Sequence, residues 1–242
     1  MNIIPYEKSK YSQNSEDGII EVLVNNIKDC KKIFMEIGWG DGSCNMTRNL
    51  VEQGWTGVGV DAAFPEPDPS LTFPKDFIYK NIKVIPNSNL PQVFENTPKD
   101  VDFFSLDIDS FDYDVSKWML EHGFRPKVAC LEINPRFGNN VIASMPFKEK
   151  SNKKKIYRKT SLFGCSIRKY KELWELFGYE FFGYDSSVTN VFFYDKETVN
   201  KIELPFHTLE EFPITTDNMK EILTTNEFWK LHLEEIYSGY KK

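Results

Sequence analysis

Residues 34–42 read Phe34-Met35-Glu36-Ile37-Gly38-Trp39-Gly40-Asp41-Gly42, an apolar run that breaks into glycine at every second position. The run predicts a strand over Lys32–Gly38 that must stop and turn sharply, because glycine tolerates positive φ and lets the backbone come close to a neighbouring group. Asn45–Gln53 has a helical pattern. The turn therefore faces the unpaired N–H groups of a helix start, a ready place for a polar ligand. Thr56–Asp61 reads as the next strand, with Gly54-Trp55 as its lead-in. Asp61 closes it with a carboxylate able to accept hydrogen bonds from both hydroxyls of a ribose. The dinucleotide spacing G-x-G-x-x-G is not met, since its third glycine would fall on Ser43.

Upstream, Gln13–Ile27 carries a helical stripe of Ile19, Ile20, Leu23, Val24 and Ile27 behind acids in the first turn, and Ser12 or Ser15 can cap it. Downstream, Pro65, Pro67, Pro69 and Pro74 make residues 62–75 a loop. Further strands are expected at Asn81–Ile85, Val101–Leu106 and Lys127–Ile133, with helices at Leu90–Asn96 and Tyr113–His122. Ser166–Phe177 reads as a helix, Tyr179–Tyr184 and Asn190–Tyr194 as two closing strands, and residues 216–237 as one or two amphipathic helices. Strands alternating with helices through residue 135 indicate a mostly parallel sheet covered on both faces. The last two strands are joined by a connection too short for a crossover helix, so they must form an antiparallel hairpin. The expected fold class is α/β: a Rossmann-like, seven-stranded, mostly parallel sheet with a C-terminal antiparallel hairpin. One domain over 1–242 is expected, with an N-terminal helical arm (1–28), a basic lid-like insertion (135–165) and a C-terminal helical extension (203–242).

Ligands of open α/β sheets sit beyond the carboxyl ends of the strands. Asp107, Asp109 and Asp112 follow the fourth strand there, and Glu132 and Asn134 the fifth. Two chemistries are open. Asp107 or Asp109, with Glu132 as second choice, can act as a general base, since crowded carboxylates raise one another's pKa. Alternatively Asp107, Glu132 and Asn134 can supply oxygens to Mg²⁺ or another divalent cation, which prefers such ligands. Asp112 is expected only to cap the helix after it. His122 belongs at a helix C-terminus, and His207, in a loop after Pro205, is a candidate to reach the site.

The pattern Glu36-x-Gly38-x-Gly40-x-Gly42 resembles the S-adenosylmethionine (SAM) motif of class I methyltransferases. The acid has a physical reason: SAM presents a cationic amino group and a sulfonium where NAD presents pyrophosphate, so Glu36 and Asp41 suit it. Tyr11-Ser12-Gln13-Asn14-Ser15-Glu16-Asp17-Gly18, Leu106-Asp107-Ile108-Asp109-Ser110-Phe111-Asp112-Tyr113, Leu131-Glu132-Ile133-Asn134 and Ser161-Leu162-Phe163-Gly164-Cys165-Ser166 together resemble the FkbM-type branch of that superfamily. Ser110 and Phe111 depart from its pattern, which expects glycine and often asparagine there. The resemblance covers residues 11–195. It implies cofactor contacts from Gln13, Glu36, Gly38, Gly40, Asp41, Gly42, Asp61 and Asp107, with Tyr11 and Trp39 as further candidates to line or shield the pocket. It also implies methyl transfer to a hydroxyl of a sugar, nucleotide-linked sugar or phosphorylated metabolite, in the setting of surface polysaccharide or capsule assembly. N-methylation of a small anionic metabolite, a non-catalytic SAM- or nucleotide-binding module, and a dinucleotide oxidoreductase are the competing readings.

Composition sets the outer bounds. Of 242 residues, 40% are hydrophobic and 27% charged, enough for a filled soluble domain. The net charge of −6 argues against a field that gathers nucleic acid. One segment reverses the sign: Lys148, Lys150, Lys153, Lys154, Lys155, Arg158 and Lys159 face a single acid, Glu149. Lys155 and Arg158, together with Asn134, are candidates to bind an anionic or saccharide acceptor, against the plainer reading of the basic segment as a solvated loop. Cys30, Cys44, Cys130 and Cys165 form no C-x-x-C pair, so free thiols are expected. No signal-like or membrane-length apolar run occurs, and a cytoplasmic location is the expectation.

Overall fold

A computed structural model describes residues 5–145 and 163–213. Chain order is α1 (Glu16–Asn25), β1 (Ile33–Ile37), α2 (Arg48–Glu52), β2 (Thr56–Asp61), β3 (Ile78–Asn81), α3 (Leu90–Val93), β4 (Phe103–Leu106), α4 (Asp112–Glu121) and β5 (Val128–Glu132). A 3₁₀ turn at Pro135–Phe137, then α5 (Ile167–Leu176), β6 (Tyr179–Tyr184), β7 (Asn190–Asp195) and a second 3₁₀ turn at Leu209–Glu211 follow. The strands form one seven-stranded sheet in the order β3-β2-β1-β4-β5-β7-β6. β1 to β5 run parallel, and β7 pairs antiparallel with both β5 and β6. The fold is therefore the expected Rossmann-like sheet with its closing hairpin. The strand order adds that β7, not β6, lies against β5.

Alternation along the buried strands feeds two cores. Phe34, Phe103, Val128, Cys130 and Phe192 face α1 and α2. Met35, Ile37, Phe104, Leu106, Leu131 and Phe193 face α3, α4 and α5. α1 begins on reciprocal bonds: the Asp17 N–H donates to Ser12 Oγ at 3.0 Å, and the Asp17 carboxylate accepts from the amides of Lys10, Tyr11 and Ser12. Of the two serines expected to cap this helix, Ser12 takes the role, while Ser15 lies at φ 71° with no side-chain bond.

β3 lies at 78–81 rather than the expected 81–85. Its partner β2 ends at Asp61, which pairs with Asn81, and the Ile82 N–H makes the last bond to the Asp61 carbonyl at 2.9 Å. The apolar run beyond has no strand to join, so Ile82 and Val84 pack on the core as coil instead. All four cysteines are free. Among the described residues no helix is long and apolar enough to cross a membrane. Most of the basic insertion, with Lys155 and Arg158, and the expected helices over 216–237 lie outside the described residues.

Candidate active site

Sheet order reverses direction between β1 and β4, because β1 leads to β2 on one side and the chain returns to β4 on the other. Crevices at such a switch point are where open α/β sheets bind ligands. The two strand ends meet at Gly38. A Cβ added there would sit 1.6 Å from the Asp107 carbonyl oxygen, so only glycine lets β1 pass this closely under β4. Gly40 differs: its φ is +69°, yet a Cβ there would meet no atom of the described residues within 4 Å. The turn is thus closed below Gly38 and open above Gly40. The Gly40 N–H donates to Asp61 Oδ2 at 2.9 Å, and the Ala63 N–H donates to Asp61 Oδ1 at 2.6 Å. Asp61 stands on the rim of the turn, half-buried, with its carboxylate held by the two loops.

Glu36 occupies a different place from the one its motif position suggests. It lies one residue inside β1 and shares a face with Phe34, so its side chain enters the α2 side of the sheet, where it is 3% exposed. Its oxygens accept from the Met46 N–H at 3.1 Å, the Thr47 N–H at 3.0 Å and Thr47 Oγ1 at 2.6 Å. Burial drives its pKa up to about 8 against these bonds. Glu36 shapes the loop that carries the glycines. Trp39 is buried in the same region, with Nε1 donating to Thr47 Oγ1 at 3.2 Å and its ring packed on Phe73, Phe77 and Tyr79. It is a packing residue that seats the proline-rich loop. Asp41 is turned to Ser43, whose hydroxyl and amide hold its carboxyl below the usual range.

Asp112 does more than begin a helix. Its two oxygens accept the Ile108 N–H at 2.7 Å and the Ser110 N–H at 2.9 Å, reaching back over the loop instead of capping α4. The clamp pushes the residue between them clear of the core: Asp109 sits at φ 54° and is exposed. Asp107 and Glu132, at the adjoining ends of β4 and β5, are hydrogen-bonded carboxyl to carboxyl. Burial first, then the charges of Asp112 and Asp109, raises Asp107 to about 7. Burial and the Asp107 charge raise Glu132 further, so Glu132 holds the proton and donates to Asp107. One oxygen each of Asp107, Asp109 and Glu132 lie within 4.8 Å of one another.

The remaining sequence candidates separate. Asn134 is buried and caps the Pro135–Phe137 turn, its Oδ1 accepting from the Arg136 N–H at 3.1 Å. Gln13 is exposed. The Tyr11 hydroxyl is bonded to Glu52 on α2. His207 stacks on Tyr184 with Nε2 3.3 Å from Ser186 Oγ. His122 is the C-cap residue of α4, as expected. Sequence alone does not reveal the Asp112 clamp, the Thr47 bonds to Glu36 and Trp39, or the support of Asn45, whose Nδ2 donates to the Trp39 carbonyl at 2.9 Å. The spacing Asp109-Ser110-x-Asp112 is the one local sign of an acid folding back on its own loop.

No protein-family model and no curated protein matches the chain. Solved structures of similar shape include a hemolysin candidate from Lactococcus lactis, at 14% identity and TM-score 0.48 over 82% of this chain and 92% of that one. Human N-acetylserotonin methyltransferase in complex with SAM is similar at 11% identity and TM-score 0.40, over 72% of this chain and 51% of that one. The antibiotic-resistance methyltransferase Kmr is similar at 11% identity and TM-score 0.38, over 83% of this chain and all of that one, 100%. At these distances the likenesses say nothing of activity, and the fold rests on the strand order itself.

Proposed function

We propose that the chain is a SAM-dependent methyltransferase acting on a hydroxyl of a small polar acceptor, of the sugar, nucleotide-linked sugar or phosphorylated-metabolite class. The observation that carries this reading is Gly40: a turn with no atom of the described residues over its Cα, its amide fixed to a strand-terminal carboxylate, at the switch point of the sheet. The residues present suit a cationic nucleoside. Asp61 offers acceptors to ribose hydroxyls, Asp41 adds negative charge to the turn, and the nearby acids suit a sulfonium. Bound SAM supplies an electrophilic methyl group and leaves as a neutral thioether. Asp107, raised to about 7 and accepting a hydrogen bond from protonated Glu132, supplies the proton acceptor for the attacking hydroxyl. Placing that hydroxyl about 3 Å from the methyl carbon is the work of the surrounding loops. Lys155 and Arg158 are proposed to meet an anionic acceptor. The quoted segments support the FkbM-type branch, and with it a role in surface polysaccharide assembly.

The test is thermal. SAM and its demethylated product should stabilise the protein, by about 2.7 kcal/mol at about 100-fold excess over Kd. Gly40→Ala places a methyl group in open space at a cost of about 1–2 kcal/mol for the left-handed backbone, so it should fold yet lose the ligand shift. Asp61→Ala should lose it also. An undiminished shift in both variants would refute the cradle. Asp107→Asn should retain the shift and lose methyl transfer to a responsive acceptor.

A further inference from the structure

Lysines whose ammonium turns inward need acceptors, and the chain supplies them unequally. Lys127 sets its Nζ 2.7 Å from Asp102 and 3.2 Å from the Asp29 carbonyl. Lys80 donates to the Val93 carbonyl at 2.9 Å and to the carbonyls of Gln92 and Glu95 beside it. Lys169, in the first turn of α5, is half-buried and has neither kind of partner. Its Nζ donates to Ser144 Oγ at 2.6 Å and stands 4.1 Å from the centre of the Tyr113 ring. Its neighbours Arg168 and Lys171 pair with Glu172 and Glu175, whereas Lys169 forms no ion pair among the described residues. Burial holds its pKa below the usual lysine range, with Asp114 and Lys117 on α4 bearing on it in opposite senses. Ser144 accepts the ammonium's bond and donates its own proton to no described residue. An ammonium without a counter-ion and a hydroxyl proton without an acceptor thus lie side by side, and one oxyanion answers both.

Placement ties this group to the reactive edge. α4 and α5 both begin at the carboxyl end of the sheet. Tyr113 follows Asp112, whose carboxylate clamps the Ile108 and Ser110 amides around Asp109. Ser144 bridges to Cys165, and the adjoining Gly164 N–H donates to the Ser110 carbonyl at 3.1 Å. Ser166 Oγ accepts the Lys169 N–H at 3.3 Å and so fixes the start of α5. We propose that Lys169 and Ser144 hold the phosphate of a phosphorylated acceptor beside the β4–α4 loop. The ends of β4 and β5 are crowded with carboxylates, which repel an anion, so an anionic acceptor needs its charge met away from them. A lysine suits a phosphate as a point charge with rotatable donors. A neutral sugar has nothing to offer this ammonium, so the acceptor class narrows to phosphate esters, nucleotide-linked sugars among them. That the phosphate belongs to an acceptor rests on the methyl-transfer reading, whereas the binding of an oxyanion by Lys169 does not.

The test titrates the full chain with inorganic pyrophosphate near neutral pH, without SAM, by isothermal calorimetry. Pyrophosphate should bind with a Kd of about 1 mM or below. Lys169→Met keeps the aliphatic stem and should weaken binding about 10-fold or more, the worth of a charge-assisted hydrogen bond. Lys169→Arg, which keeps the charge, should retain binding, and Lys171→Gln, one turn's neighbour on α5, should leave it as it was. Without ligand, Lys169→Met should melt no lower than the native protein, because it removes a part-buried charge that has no counter-ion. Ser144→Ala should weaken binding about 5-fold, which keeps the test decisive even if Lys169→Met does not fold. Glycerol phosphate should displace pyrophosphate, and glycerol should not. Absence of pyrophosphate binding at about 1 mM, binding undiminished in Lys169→Met and Ser144→Ala, or displacement by glycerol would overturn the site. The thermal shift by SAM should persist in Lys169→Met. Its absence from every sample, with pyrophosphate still bound, would count against the cofactor cradle and not against this site.

Discussion

A buried carboxyl with three donors around it is an anchor that titrates. Glu36 holds the start of the loop before α2 through the Met46 and Thr47 amides and the Thr47 hydroxyl. Its pKa, raised to about 8 by burial, makes that anchor pH-dependent. A raised acid stabilises the fold fully below its unfolded value of about 4.3, and this stabilisation fades as pH rises through the folded value. The melting temperature should therefore decline between about pH 4.3 and about pH 8. Glu36→Gln keeps the shape, turns one N–H donor against another, and should cost about 1–3 kcal/mol at low pH. The gap between the two proteins should narrow toward alkaline pH, as measured by calorimetry across that range. A gap independent of pH would show that Glu36 does not titrate with folding.

At the scale of elements, the β4–α4 connection is the part built for chemistry. Asp112 binds two amides across the loop and so fixes the left-handed turn at Asp109. A non-glycine residue at positive φ persists only where its surroundings hold it there. Asp112→Ala leaves two amides of a mostly buried loop without their acceptor and should lower stability by about 2 kcal/mol. SAM should still stabilise the folded variant, since the glycine turn belongs to another connection. Loss of that response in a folded variant would show that the two loops act as one unit. The β6–β7 hairpin has its own role at this scale: β7 seals the free edge of β5 and sets Asn190 opposite Glu132.

Across the whole molecule, charge divides the sheet into a supporting end and a reactive end. The pair Asp102–Lys127 joins the starts of β1, β4 and β5 at the supporting end, buried and fully answered. Removing one partner strands a buried charge, so Asp102→Ala should cost about 3–5 kcal/mol. The reactive end behaves in the opposite sense. Asp107, raised to about 7, loses its contribution to stability as pH rises through that value, and an asparagine in its place would not titrate. Asp107→Asn without ligand should thus be more stable than the native protein above about pH 7, by about 1 kcal/mol. Denaturant melts of the two variants at two pH values check both signs.

Much of this architecture is written locally. Spacing of apolar residues and glycines sufficed for Thr56–Asp61 and Tyr179–Tyr184, whose bounds the structure reproduces, and for the helices at α1, α4 and α5. Hydrophobic period, turn residues and connection length depend on neighbours in the chain, so the parallel sheet and its antiparallel closure could be read from the sequence. The acids at the ends of β4 and β5 were legible for the same reason, as was the glycine turn. Tertiary structure alone decided what those side chains do. β3 slipped to Ile78–Asn81 because its length is set by its partner β2, not by its own apolar run. Glu36 turned inward because strand alternation and the arrival of Thr47 settle its face, and Asn134 became a cap because Arg136 offered it an amide. Residue type and spacing establish which groups reach the reactive edge. Which donors remain to satisfy them there is decided only when distant segments converge.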